Sequence, residues 1–253
     1  MASNGKISAA QMGFSQPIGS PPYNAVDKRH YAPLDALRFE YVTDIGAAAA
    51  LLPDVFELEA APRAYLTFNL FGFSNAGSYL EVVQGVECSY QGETAAFPIR
   101  LYMNSDTPMI TGREWFGIPK LLGSVFFDPS KQTSILSGRL ERPEGIPLAS
   151  GVMRPDSYAG ELKRLERLNW GLRILPSVSP QRPTIRELSQ YKLTLEGGTV
   201  WKGEGSAHFT GASAVDPLHA LPVIEMESST FIQGTHLTLE TTGEIIDLGD
   251  DDK

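Results

Sequence analysis

The sequence predicts a mainly β protein of the α+β class: a single domain of many antiparallel strands with a few short helices. Three observations carry this expectation. Apolar and polar residues alternate with a period of two in segment after segment. Helix-type periodicity is confined to short stretches, while glycines at Gly92, Gly197-Gly198 and Gly211 punctuate the strand-like runs as turns. No internal repeat, low-complexity block or linker interrupts the core, taken as 32–246. One unit over 1–253 is therefore the simplest organisation, with 1–24 and 247–253 expected to be flexible.

Taken in order, Leu37, Phe39 and Tyr41 alternate with Arg38, Glu40 and Val42, the mark of a half-buried strand. Thr43-Asp44 can cap a helix across Ile45–Leu52, which Pro53 ends. Leu66, Phe68 and Leu70 then alternate with Thr67 and Asn69. Strands are expected at 79–91 and 94–103. One turn at Arg113–Gly117 leaves Lys120 just beyond it. Strands follow at 123–128 and 133–141. Asp156-Ser157 can cap a second helix near 158–168, with Leu162, Leu165 and Leu168 on one side. The remaining strands are expected at 172–176, 185–196, 199–210, 222–230 and 235–246.

The composition, 42% hydrophobic and 20% charged over 253 residues, supplies enough apolar side chain for a sizeable core. A formal net charge of -9 without any basic stretch argues against nucleic acid or an anionic membrane as partner. Cys88 is the only cysteine, so no intramolecular disulfide is possible. A reducing, cytoplasmic setting is the natural expectation, with Cys88 as a small core residue. No signal peptide and no apolar run of ~20 residues is evident. His30, His219 and His236 show no ligand spacing, so no metal is expected. His208 reads as a structural residue within a strand. No phosphate loop or nucleophile elbow occurs, so no external cofactor is expected.

Lys120 is the most informative residue. It is one of eight lysines and the only one between Lys28 and Lys131. Its neighbours are Trp115, Phe116, Ile118, Pro119, Leu121 and Leu122. A lysine in such a run either snorkels to water or is buried. Burial penalises the charged form, and a neutral amine can attack a ketone to form a Schiff base.

The segment Gly112-Arg113-Glu114, Trp115-Phe116, Pro119-Lys120 resembles the catalytic segment of the acetoacetate decarboxylase family. Tyr41-Val42-Thr43-Asp44 with Leu51-Leu52-Pro53, Ser78-Tyr79-Leu80-Glu81, Asn169–Pro176, Ile185–Leu188 and Leu221–Glu225 with Ser228-Ser229 extend the likeness over about residues 35–235. The resemblance implies a closed, cone-like β structure with the lysine inside, a small-molecule carbonyl substrate and a homo-oligomer. It implies Lys120 as the Schiff-base residue and Glu81 as the carboxylate that orients substrate and moves protons. Arg38, Trp115, Phe116, Leu121 and Tyr102 are the expected substrate-binding residues. Arg113 and Glu114 are expected to form an ion pair that positions the loop.

Three departures from the family pattern stand out. Leu121 occupies the place of a second lysine, so desolvation by Trp115, Phe116, Ile118 and Leu121 is expected to replace charge repulsion in activating the amine. Leu34 lies near the place of the arginine that faces the substrate carboxylate. Arg29 or Arg38 can substitute, and Arg38 reads as the outward residue of its strand. Tyr65, Leu66, Thr67 and Phe68 stand where the family has a glutamate. A less polar pocket and a β-keto acid bulkier than acetoacetate, polyketide-like in character, follow as expectations. The alternatives are an aldolase, dehydratase or cyclase using the same imine, or a non-catalytic binder of an apolar molecule.

Overall fold

Strand pairing builds two layers from one continuous sheet. The computed structural model describes residues 3–25, 28–131, 134–179, 181–210 and 213–249. In chain order the elements are β1 (Lys28–Val42), α1 (Ile45–Ala49), β2 (Arg63–Phe71), β3 (Tyr79–Tyr90), β4 (Glu93–Met103), α2 (Asp106–Trp115), β5 (Lys120–Leu122), β6 (Ser124–Phe126), β7 (Leu136–Glu141), β8 (Pro147–Glu161), β9 (Arg164–Leu175), β10 (Ile185–Glu196), β11 (Thr199–Phe209) and β12 (Glu225–Asp247). The expected turn at Gly211 and the acidic end from Asp250 onward lie outside the described residues.

The order β1-β2-β3-β4-β9-β10-β12, with β12 returning to β1, closes a barrel. Its pairs are antiparallel except β4 with β9, which meet through the parallel bridge Ala96–Asn169. Closure removes free sheet edges. β12 is one 23-residue strand, where the sequence suggested two. It changes neighbours at Gly234, whose positive φ of 69° suits glycine. Before that point β12 lies beside β11, and after it beside β10. From β11 the sheet runs on through β8, β7 and β6.

The alternation seen in β1 and β2 is real, but its two faces are reversed from simple expectation. Leu37, Phe39, Tyr41, Leu66 and Phe68 point out of the barrel into a core shared with Leu140, Leu148, Ala149 and Met153 of the second layer. Each such fully buried side chain contributes about 1.5–3 kcal/mol. Leu34, Ala36, Arg38, Glu40, Tyr65, Thr67 and Asn69 instead line the barrel interior. Arg38 is therefore an inward residue, contrary to its expected outward position.

Two helix expectations change. Residues 158–168 are not helical. They are the end of β8 and the start of β9, and Gly160 there has φ +101°. Leu162 and Leu165 border the cavity around the β8–β9 turn, whereas Leu168 stands on the opposite face of β9 and packs against the cluster of Phe56, Trp170 and Leu188, so their spacing of three is not a helical face. The single turn at 113–117 is the end of a ten-residue helix that begins at Asp106. α1 forms as expected, with the Asp44 carboxylate accepting from the Ala47 N–H at 2.8 Å, but stops at Ala49.

Candidate active site

β4, α2 and β5 place Lys120. α2 starts after Ser105, with Asp106 in its first turn, where a carboxylate suits the helix dipole. The chain leaves α2 through Gly117 at φ +66° and returns as β5, parallel to β4, with Lys120 opposite Leu101. A Cβ on Gly117 would lie 2.7 Å from the Arg173 backbone nitrogen, so the turn has no room for a side chain. The Phe116 carbonyl accepts from the Ser189 hydroxyl at 2.8 Å, and the Arg173 Nε donates to the Glu114 carbonyl at 2.7 Å. The loop before the lysine is thereby fastened to β9 and β10.

The lysine side chain lies over the helix. A Cβ on Gly112 would come within 2.3 Å of Lys120 Cδ and 2.7 Å of Cε. Glycine at 112 thus makes the space that the lysine stem fills. Lys120 is 6% exposed and Glu81 of β3 is 5% exposed. Their Nζ and Oε2 atoms are 3.0 Å apart, yet Oε2 lacks an aligned hydrogen-bond donor. The contact is a charge pair rather than a well-directed hydrogen bond. Lys120 Nζ also lies 6.0 Å from the Tyr79 ring centroid.

The pair borders a cavity of about 940 Å³ inside the barrel. Tyr31, Phe71, Tyr79, Leu101, Ile118 and Tyr191 form its wall near the lysine. Burial pushes the Tyr31 phenol up to about 12, helped by the Glu81 charge and opposed by Arg29. Burial also holds Tyr79 and Tyr191 well above the usual phenol range. These tyrosines are neutral hydroxyl groups at any physiological pH. Arg29, on the same face of β1 as Tyr31, is 4% exposed. Its Nη2 donates to the Asn24 carbonyl at 3.3 Å, while its Nε has no partner.

The expected site residues divide. Lys120, Glu81 and Arg38 line one cavity. Leu121 does not, because strand alternation turns it toward the interlayer core when Lys120 faces in. Tyr102, next to Leu101, is turned the same way and donates its hydroxyl to Asp216 at 3.0 Å. Trp115 packs on Phe14 at 6.3 Å between ring centroids. Phe116 backs the wall by packing on Tyr191 at 5.9 Å. Of the four expected desolvating residues, only Ile118 lines the cavity. Arg113 and Glu114 do not pair with each other. Arg113 donates to the Lys120 carbonyl at 3.2 Å. The Glu114 carboxylate accepts from Ser15 and Tyr23 hydroxyls, each at 2.8 Å, which draws part of the N-terminal segment onto α2.

Sequence reasoning missed Gly112, Tyr31, Tyr79 and Tyr191; register across β3, β4 and β5 was the information needed. His208 is exposed beside Ser206. His30 and His236 meet at 3.2 Å on the outer surface. Among the described residues, no group of three or more His, Cys, Asp and Glu side chains is placed to hold a metal. No helix there is long and apolar enough to cross a membrane.

Barrel, interior cavity and buried amine–carboxylate pair together describe an enzyme that works on a small molecule inside a β-barrel. The profile of the acetoacetate decarboxylase family matches residues 15–244, and the chain belongs to that family. It is 33% identical over 242 residues to Decarboxylase DEC1 of Cochliobolus heterostrophus, covering 92% of this chain and 95% of that one. It is 26% identical over 248 residues to the acetoacetate decarboxylase of Ralstonia nicotianae, covering 92% and 94%. A solved acetoacetate decarboxylase superposes with a TM-score of 0.82 over 98% of this chain and 100% of that one, at 22% identity, and so supports the fold. The protein is a decarboxylase or a related lyase-type enzyme of this family, whose members act on small carbonyl compounds.

Proposed function

We propose that Lys120 forms a Schiff base with a ketone and that the reaction is decarboxylation of a β-keto acid bulkier than acetoacetate. The buried Lys120–Glu81 pair on the wall of a cavity of about 940 Å³ carries this reading. A proton passing from Nζ to Oε2 turns two buried ions into two neutral groups and frees the amine lone pair. Nζ then attacks the ketone carbon. Glu81 moves protons between nitrogen and oxygen until water leaves and an iminium remains. The bond to the carboxylate carbon breaks, its electrons pass to the iminium nitrogen and carbon dioxide departs. Glu81 relays one solvent proton to the enamine carbon, and water hydrolyses the imine. The water lost on imine formation is returned, and each turnover consumes one proton.

Arg29 is the better carboxylate partner than Arg38. Its buried guanidinium has an Nε without a hydrogen-bond partner and pairs with no carboxylate among the described residues, whereas Arg38 already pairs with Glu40 at 2.8 Å. The cavity lies at the upper end of the ~300–1,000 Å³ that holds drug-sized ligands, which supports a substrate larger than acetoacetate. The buried free thiol of Cys88 supports a reducing, cytoplasmic setting. A homo-oligomer with closed symmetry is the assembly proposed with it.

The test is carbon dioxide release from 3-oxo acids of graded chain length, with Lys120→Met and Arg29→Met alongside. Release that favours the longer acids and is lost in Lys120→Met supports the reading. Absence of release from every acid, while Lys120 still forms a reducible imine with ketones, would assign the site to aldol, dehydration or cyclisation chemistry instead.

A further inference from the structure

The cavity has a second polar pole. On the lumen face, register runs from Lys120 to Leu101, Val83, Thr67 and Arg38 across successive strands. Three side chains thus separate the amine from Arg38 along the wall. At the Arg38 end the cavity is lined by Glu40, Tyr65, Glu87 and Arg167. Tyr65 lies under two guanidiniums, with Arg38 at 4.1 Å and Arg167 at 5.0 Å from its ring centroid. Arg38 Nε donates to Glu40 at 2.8 Å, Ser228 donates to the same carboxylate at 2.8 Å, and Arg167 pairs with Glu87. At the rim Arg63 reaches Glu227 at 3.1 Å and Glu87 at 3.9 Å.

Within the ion-paired network the charges balance, Arg38, Arg63 and Arg167 against Glu40, Glu87 and Glu227, and the further lining groups Glu93, Glu166 and Lys192 add one net negative charge. A carboxylate entering here would face Glu40 and Glu87. An ammonium group would face the guanidiniums. A neutral oxygen meets neither penalty. Donors remain for it, because Arg38 Nη2 lacks a hydrogen bond, standing 4.0 Å from Glu87, and Nη1 has only a long 3.4 Å contact to Thr67. Between the two poles the wall is largely apolar, with Val83 and Leu101 on one side and Leu193 and Leu239 on another.

We infer that this cluster is a specificity site for the tail of the substrate, recognising an uncharged oxygen, a hydroxyl or second carbonyl, several carbons from the ketone held at Lys120. The substrate class is then an elongated keto acid with a neutral oxygenated tail. Arg38 and Arg167 bind that tail and take no part in the bond-breaking step. The inference rests on the proposed ketone chemistry for the orientation of the substrate, but not for its measurement.

The experiment is equilibrium binding, by titration calorimetry, of three ketones of equal carbon-chain length that carry no β-carboxylate and so cannot be decarboxylated: 2-nonanone, 9-hydroxy-2-nonanone and 8-oxononanoate. The inference expects the hydroxy ketone to bind about tenfold more tightly than the methyl-ended one, the size of one hydrogen bond to a charged donor. The carboxylate-ended ligand should bind more weakly than the hydroxy ketone. The hydroxyl advantage should disappear in Arg38→Met and shrink in Arg167→Met. As a ratio between ligands, it is insensitive to a general loss of folded protein. Equal binding of the methyl and hydroxy ketones, tighter binding of the carboxylate, or a hydroxyl advantage that survives both substitutions would overturn the inference. Failure of Lys120 to form an imine would remove the proposed chemistry while leaving the tail preference to be read independently.

Discussion

Gly112→Ala separates the position of the amine from the stability of the fold. Gly112 lies within α2, where alanine favours the helix by about 1 kcal/mol over glycine. The new methyl would sit 2.3 Å from Lys120 Cδ and 2.7 Å from Cε. These atoms must retreat by roughly 1 Å to restore van der Waals distance. The displaced atoms belong to a flexible stem rather than to backbone, so overpacking should cost near the low end of about 1–3 kcal/mol. Helix gain and crowding nearly cancel, leaving a net change of about 0–2 kcal/mol. At ~2–4 °C per kcal/mol for a chain of this size, the melting temperature should fall by no more than about 8 °C. The amine, however, shifts with its stem and no longer holds its 3.0 Å placement against Glu81. A misplacement of ~1 Å can cost about a hundredfold in rate. The assay is the rate of borohydride-trapped adduct formation with 2,4-pentanedione, beside a thermal melt. A trapping rate within threefold of the parent protein would refute the argument that Gly112 sets the lysine's position. So would a loss of rate matched by a loss of folded protein.

Other substitutions test the surrounding physics. Glu81→Gln leaves a buried ammonium without its counter-ion and should cost about 3–5 kcal/mol. Lys120→Met should do the reverse to Glu81, and the double variant should be more stable than either single one; a double-mutant cycle by urea unfolding reads this directly. Gly117→Ala forces a side chain into a positive φ and against the Arg173 backbone, and should destabilise by more than the ~1–3 kcal/mol of conformational strain alone. Burial, and secondarily the Glu87 charge, raises the Cys88 thiol from 9.0 to about 12. Tyr31 rises from 10.0 to about 12. The unfolded chain loses these protons first, so their stabilising contribution is complete below about pH 9 and is lost as pH climbs toward 12. Melting temperatures should therefore fall across that window, with a shallower slope in Cys88→Ala; an identical slope would contradict the Cys88 assignment.

Much of the barrel was legible because strands repeat every two residues, and β3, β4, β10 and β11 were placed to within a residue or so. Which face of β1 met which core was not legible. A barrel covered by a second layer has two interiors, and here the more polar set, Arg38, Glu40 and Thr67, lines the functional one. The first turns of α2 were missed because Thr107, Pro108 and Gly112 are weak helix formers. Ser105-Asp106 with Pro108 in the first turn was the available signal, since proline is tolerated where the N–H is unpaired. Leu162, Leu165 and Leu168 imitated a helix by spacing alone: Leu162 lies in the turn before β9, and Leu165 and Leu168 stand on opposite faces of that strand. In the site, the sequence pointed to Lys120 and Glu81 through the family resemblance. Tyr102 and Leu121 were misassigned because chain proximity was used in place of alternation: once Lys120 faces inward opposite Leu101, both must face outward.

The central claim is that the Lys120 amine reacts with a ketone inside the barrel. The most direct measurement is intact-mass and peptide mapping after incubation with 2,4-pentanedione and borohydride near pH 7. The account expects one adduct per chain, confined to Lys120 and absent from Lys120→Arg, while the seven other lysines stay unmodified. Modification spread over the exposed lysines with Lys120 untouched would contradict it.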